Sequence, residues 1–190
     1  MRYIRQGIIL EAISDSVLLR ELQNGHNEAL AQLYERYRER VLRHCIRLLC
    51  DEQAAKDAVQ NVFMKLQTEH LSIRNGQSLQ SWIFIVARNE AFGELRRRKG
   101  AELDEELVWE GELPDEELAK KNRKEIIQSV LNNLHPSFRE VIVLREFEQM
   151  SYEEIAQVTG LTVSAVKSKL FKARKALIQK LQPYLSERAL

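Results

Sequence analysis

The stretch Ser151-Tyr152-Glu153-Glu154-Ile155-Ala156-Gln157-Val158-Thr159-Gly160-Leu161-Thr162-Val163-Ser164-Ala165-Val166-Lys167-Ser168-Lys169-Leu170 contains two helices and the turn between them. Ser151 and Glu154 have the spacing of a capping box, in which each side chain satisfies an orphan amide of the first helical turn. Ile155, Ala156 and Val158 follow as an apolar stripe, and Thr159-Gly160-Leu161 interrupts it. Thr162 supplies the short hydroxyl of a second N-cap. Val163, Val166, Leu170, Ala173 and Leu177 then recur at helical steps. Ala156 is small where two helices must cross closely, Gly160 tolerates the positive φ of a tight turn, and Val166 packs back into the crossing. Two helices joined in this way leave the second protruding, of a size to enter a DNA major groove about 12 Å wide. After Thr162 that helix carries Lys167, Lys169, Lys172, Arg174, Lys175 and Lys180, with no acidic residue before Glu187. The pattern is a helix-turn-helix with a basic recognition helix. The plainer alternative is a small helical bundle with a solvated basic face.

Working outward, helical periodicity dominates the whole chain. Ile126, Ile127, Val130, Leu131 and Leu134 precede a break at His135-Pro136, and Phe138, Val141, Ile142, Leu144 and Phe147 form the next helix. Upstream, Asp15 is placed to cap a short helix bearing Val17, Leu18, Leu19 and Leu22 and ending at Asn24-Gly25. Leu30, Leu33, Tyr34, Tyr37, Val41, Cys45 and Leu48 mark a longer helix. Asp51 caps a third, with Ala55, Ala58, Val59, Val62, Phe63 and Leu66 inward. His70 to Gln77, with Asn75-Gly76, reads as a loop. Ser78 caps a fourth helix through Trp82-Ile83-Phe84-Ile85-Val86-Ala87 to Leu95. The run Trp82–Val86 alone is short enough for a strand, but it continues without a breaker into Ala87-Arg88-Asn89-Glu90-Ala91. That continuation predicts a helix buried on most sides.

The charge map changes abruptly after this helix. Arg96, Arg97, Arg98 and Lys99 form a basic cluster, whereas Ala101 to Ala119 has no Lys or Arg and is dense in Asp and Glu. Such a segment, with Gly111 and Pro114 in it, buries little surface. The expected fold class is therefore all-α: two small helical domains, residues 14–99 and 121–185, joined by an acidic linker at 100–120, the C-terminal one a helix-turn-helix. Residues 1–13 read as a loosely ordered arm.

Composition narrows the function classes. Formal net charge is +1, so any polyanion-binding footprint must be local. Cys45 and Cys50 fit neither a redox pair nor a metal knuckle and read as buried or half-buried thiols in a reducing cytoplasm. His26, His44, His70 and His135 lie in separate segments, and no phosphate loop or nucleophile constellation stands out, so no catalytic residue, metal or cofactor is expected. No apolar run approaches the roughly 18 residues of a membrane span, and the N-terminus lacks the apolar length of a signal peptide, so the expected location is cytoplasmic.

Three segments carry a family resemblance. Ser151–Ala156 with Val166-Lys167-Ser168-Lys169-Leu170-Phe171-Lys172-Ala173-Arg174 resembles region 4 of bacterial sigma factors. Asp57-Ala58-Val59-Gln60-Asn61-Val62-Phe63-Met64-Lys65-Leu66 and Ser81-Trp82-Ile83-Phe84-Ile85-Val86-Ala87-Arg88-Asn89 resemble parts of region 2. Their order, the chain length and the lack of a further domain between them resemble the extracytoplasmic-function group. The chain departs from the common pattern at Lys56, Asn61 and Gln67.

The resemblance implies a transcription initiation factor that binds core RNA polymerase and reads promoter DNA. Asp57, Gln60, Asn61 and Met64 would meet the β′ clamp helices. Arg74, Asn75, Ser78, Arg88, Asn89, Arg96 and Arg97 would meet the downstream (minus-10) element. Thr162, Ser164, Ala165, Lys167, Ser168, Lys169, Lys172 and Arg174 would meet the upstream (minus-35) element. An anti-sigma partner is implied by the family alone. Trp82 is expected in the core rather than stacked on a base. The acidic linker is either a hydrated spacer or, by resemblance, a segment that threads the polymerase channels. The competing readings are an enzyme and a polymerase-independent helix-turn-helix regulator, and binding to core polymerase separates them from the sigma reading.

Overall fold

Residues 13–73, 78–99 and 123–186 are described by the structure, a computed structural model. The arm at 1–12, the acidic linker, and Arg74 and Asn75 lie outside the described residues. Helix α1 spans Asp15–Gln23, and its cap is Ser14 rather than Asp15: the Ser14 hydroxyl accepts from the Val17 amide at 3.4 Å. Asp15 is freed for a tertiary role, its carboxylate accepting from Arg36 and from the Tyr37 hydroxyl. Sequence spacing cannot separate two adjacent cap-forming residues when the choice is made by a partner on another helix. Helix α2, Glu28–Leu49, ends at Cys50, which adopts the left-handed conformation (φ 57°). Asp51 caps α3, Glu52–Glu69, by accepting from the Ala54 amide at 2.9 Å. The expected loop begins with a 3-10 turn, His70–Ser72. Helix α4 spans Leu79–Lys99.

In the second half, α5 covers Arg123–Asn132 and α6 covers Pro136–Ile142. The helix expected to run through Phe147 instead widens into a π-helical turn at Val143–Phe147, ending in Gln149 with φ 56°. Helix α7 is Tyr152–Thr159, with both bonds of the Ser151/Glu154 capping box formed, at 2.7 and 3.1 Å. Gly160 takes φ 73°, a conformation that strains any residue with a Cβ. Helix α8, Val163–Ser186, starts at Thr162, whose hydroxyl accepts from the Ala165 amide at 3.2 Å.

All ordered elements among the described residues are helical. Helices α1–α4 surround one apolar core containing Leu33, Tyr37, Val62, Leu66 and Ile83, and α5–α8 surround a second containing Leu131, Ile142, Ile155, Val166 and Leu170. The cores exchange residues: Phe84 of α4 belongs to the second, and Val143 of the π turn belongs to the first. Arg139 joins them polarly. Its guanidinium is buried and donates to the carbonyls of Leu131, Asn132 and Leu134 near the end of α5, and to Leu48 at the end of α2 (2.5 Å). It also reaches Cys50 Sγ at 3.0 Å. A cation against the unsatisfied carbonyls of two helix C-termini is favoured by both hydrogen bonding and the helix dipoles.

His44 lies at the same junction, fully buried, its ring edge-on to Phe84 at 5.0 Å and both nitrogens without a hydrogen-bond partner. Burial, reinforced by Arg47 and Arg40, pulls its pKa down to about 3. The unfolded imidazole titrates near 6.5, so the contribution of a neutral His44 to stability is complete above that pH. It is lost as pH falls, by at most about 1.4 kcal/mol per pH unit. Glu148 works in the opposite sense, because burial raises its carboxyl pKa against the pull of Arg40, Arg47 and Arg43. His44→Leu keeps the volume and removes the titration. Between about pH 7 and pH 5, urea melts should show the variant gaining about 2 kcal/mol relative to wild type. A constant difference across that range would contradict a buried neutral imidazole.

Candidate nucleic-acid interface

The local chemistry of α8 divides along its length. Thr162, Ser164, Lys167 and Ser168, at its start, are exposed, and Ala165 is half-buried against the turn. Val166, Leu170 and Ala173 anchor the opposite face in the core. Lys167 sits 5.6 Å from the centre of the Tyr152 ring, a cation–π contact that fixes its stem. Lys172 is exposed and Lys169 is half-buried. Arg174 is not a free phosphate ligand: its Nη2 and Nε donate to Glu146 Oε1 at 2.7 and 3.2 Å. Both partners are about half exposed, so the pair is screened and yields readily to a competing anion.

The residues proposed from sequence for the downstream element fall on α4 and its surroundings, and the structure does not gather them all. Ser78 caps α4, its hydroxyl accepting from the Ser81 amide at 3.4 Å. Asn89 is exposed. Arg88, next to it, donates from Nε to Glu140 Oε1 of α6 at 2.5 Å. Arg96 and Arg97 are exposed at the far end of α4, where Arg97 is forked onto Glu94 at 2.7 and 3.0 Å. Arg98 bridges Glu94 and the cap residue Asp51. Trp82 is buried, as its apolar surroundings predict.

On α3, Asp57, Gln60, Asn61 and Met64 are all exposed, but they divide between two sides of the helix. Asp57 and Asn61 face α4, where Asn61 donates to Glu90 at 2.9 Å beside the Lys65–Glu90 ion pair at 2.8 Å. These two donors hold the Glu90 carboxyl below its ordinary range against the opposing effect of burial. Gln60 and Met64 instead line an open groove of about 770 Å³ between α2 and α3, with Leu30, Tyr34, Leu42 and Phe63. Tyr34 packs edge-on to Phe63 at 4.8 Å, and Met64 is 56% exposed. The α2 side of this groove is absent from the sequence-based candidates. Its signal was present: Leu30, Tyr34 and Leu42 form a second apolar row beside Leu33, Tyr37 and Val41, wider than one core face needs.

A helix-turn-helix with a basic face, and a separate helical half carrying an exposed mixed groove, find matches along the chain. The family model "Sigma-70 region 2" matches residues 33–101, and "Sigma-70, region 4" matches residues 124–177. The chain is similar to RNA polymerase sigma-H factor of Pseudomonas aeruginosa, at 28% identity over 91% of this chain and 96% of that protein. It is similar to ECF RNA polymerase sigma-E factor of Escherichia coli K12, at 29% identity over 92% and 98%. Among solved structures, CnrH in complex with the cytosolic domain of CnrY aligns with a TM-score of 0.70 at 27% identity, over 89% of this chain and 97% of that one. The sigma factor RpoE of Bartonella quintana, in complex with the anti-sigma factor NepR, aligns with a TM-score of 0.65 at 26% identity, over 80% and 96%. The chain belongs to the extracytoplasmic-function (ECF) sigma factors.

In this sigma factor, the Arg174–Glu146 pair makes the later turns of α8 testable without touching its start. Lys172→Ala should weaken binding to all duplexes alike and flatten the dependence of log K on log salt by about 0.9. Glu146→Ala releases Arg174 and should have the opposite effect, steepening the slope by up to the same amount. Duplex titrations at several salt concentrations decide it, and a Glu146→Ala slope equal to wild type would mean that Arg174 does not reach phosphate.

Proposed function

We propose a division of labour for this ECF sigma factor, a transcription initiation factor that directs core RNA polymerase to promoters. The start of α8 (Thr162, Ser164, Ala165, Lys167, Ser168) reads base edges of the minus-35 element, and Lys169, Lys172 and Arg174 meet phosphates. Ser78, Arg88, Asn89, Arg96 and Arg97, with Arg74 and Asn75, meet the minus-10 element. Asp57, Gln60, Asn61 and Met64 dock the β′ clamp helices, with the α2–α3 groove as the centre of that contact. The single observation that carries this assignment is the groove itself. An apolar floor in which Tyr34 and Met64 are exposed over the buried Phe63, rimmed by Glu35, Arg38, Glu39 and Lys56, has the mixed character of a protein-binding surface rather than of a DNA-binding one. It lies on the half of the chain opposite to the helix-turn-helix, so one molecule offers a protein face and a DNA face.

The polymerase-independent regulator has no use for that groove. The anti-sigma factor NepR in complex with RpoE supports an anti-sigma partner here as well. No described helix is long and apolar enough to cross a membrane, and a polymerase-bound role places the factor in the cytoplasm, where it acts without catalysing a reaction of its own. Met64→Glu puts a charge on the groove floor at a position that supports no core. It should weaken binding to core polymerase at least tenfold, about 1.4 kcal/mol, with unchanged helical circular dichroism. Asp57→Lys with Asn61→Ala probes the other side of α3, toward α4. Co-migration with core polymerase as strong as wild type in both variants would move the docking site elsewhere.

A further inference from the structure

A second cavity shares no lining residue with the α2–α3 groove and takes none from α8. It encloses about 420 Å³ between α2, α5 and the π turn, and its floor is Ile46, Ile127, Leu131 and Phe147. The π turn shapes it. In a regular α-helix Phe147 would stack over Val143 and Leu144, both fully buried. The widened turn rotates Phe147 off that row and leaves it 37% exposed in the cavity wall, where Ile127 of α5 is 43% exposed. Turns of this kind recur at functional sites.

The only charged side chains among the described lining residues are Arg43 and Arg47. Arg43 is exposed and pairs loosely with Glu39 at 3.9 Å. Arg47 is half-buried, its guanidinium carbon 4.2 Å from the centre of the Phe147 ring. Burial lowers its pKa against the pull of Glu148, with Arg43 reinforcing the effect. Glu148 itself is bonded by Arg40 at 3.3 Å, and no described residue supplies the Arg47 donors with an acceptor. The ring face offsets part of the lost hydration but accepts none of the five N–H groups of a guanidinium as a carboxylate would. An apolar floor with two cations at its edge and no acid of its own is complementary to an apolar anion. We propose that this pocket binds a medium-chain fatty carboxylate, its tail along Ile46, Ile127 and Leu131, its head on Arg47, and Arg43 as the outer cation. One half-buried guanidinium balances one negative charge, which selects a carboxylate over a phosphate dianion. At about 30 Å³ per water-sized group the cavity takes about a dozen heavy atoms with solvent at its mouth, the size of decanoate.

Calorimetric titration of the full chain with decanoate, kept below the concentration at which it forms micelles, tests this. The wild type should bind one decanoate per chain with a dissociation constant below about 0.1 mM. Decylammonium, with the same tail and the opposite charge, and acetate, the head alone, should not bind. Arg47→Gln removes the cation and keeps part of the stem over Phe147. Ile127→Asp puts a carboxylate beside the pocket at a position exposed enough to tolerate it. Each should weaken decanoate binding at least about tenfold at unchanged helical circular dichroism. If one variant loses helix, the other decides together with decylammonium. Absence of saturable binding, decylammonium bound as tightly as decanoate, or wild-type affinity in either folded variant overturns the proposal. So does decanoate binding that appears only when Leu107, Val108 and Trp109 are changed to serine, which would give the pocket to the chain's own acidic stretch.

Discussion

A buried guanidinium with no carboxylate among the described residues it touches holds the molecule's centre. Arg139 spends its donors on four carbonyl oxygens, those of Leu48, Leu131, Asn132 and Leu134. Burial lowers its pKa, and the helix C-termini around it supply the compensating negative potential. Because Leu48 lies at the end of α2 and Leu131 and Asn132 at the end of α5, one side chain terminates two helices in different halves. The left-handed turn at Cys50 is what brings the Leu48 carbonyl and the Cys50 sulfur to the same guanidinium. Lys could not replace it, since a compact ammonium has too few donors and the wrong geometry for this many carbonyls.

Around that point the chain sorts its surface by chemistry. The start of α8 carries small, exposed polar side chains, and its later turns carry the long cations. Helix α3 presents polar residues to two neighbours at once, one an ion-paired cluster around Glu90 and the other an apolar groove shared with α2. Helix α4 is apolar on most sides because it has two cores to serve, its own and that of the second half. A formal charge near zero conceals this arrangement, since the basic helix α8 and the acidic stretch at 101–119 cancel in the sum.

Local signals were legible in the sequence and long-range pairings were not. The Ser151/Glu154 box, the positive φ of Gly160, and the caps at Asp51 and Thr162 are contacts within a few residues, so spacing alone specifies them. The all-helical class followed from periodicity for the same reason. Asp15 escaped because its partners Arg36 and Tyr37 are on another helix. Arg174 and Arg88 read as free cations because Glu146 and Glu140 lie far from them in sequence. The run Trp82–Val86 announced burial on most sides without naming what covers it. The π turn at Val143–Phe147 has no composition of its own, being an α-helical sequence widened so that Val143 enters one core and Leu144 the other.

Promoter-directed initiation is the claim on which the rest depends. Run-off transcription with core RNA polymerase and a library of genomic fragments measures it directly. Adding this protein should produce discrete start sites that share one upstream and one downstream sequence element, with no such starts from core enzyme alone. Binding to duplex DNA that yields no new start sites with core polymerase would contradict the account.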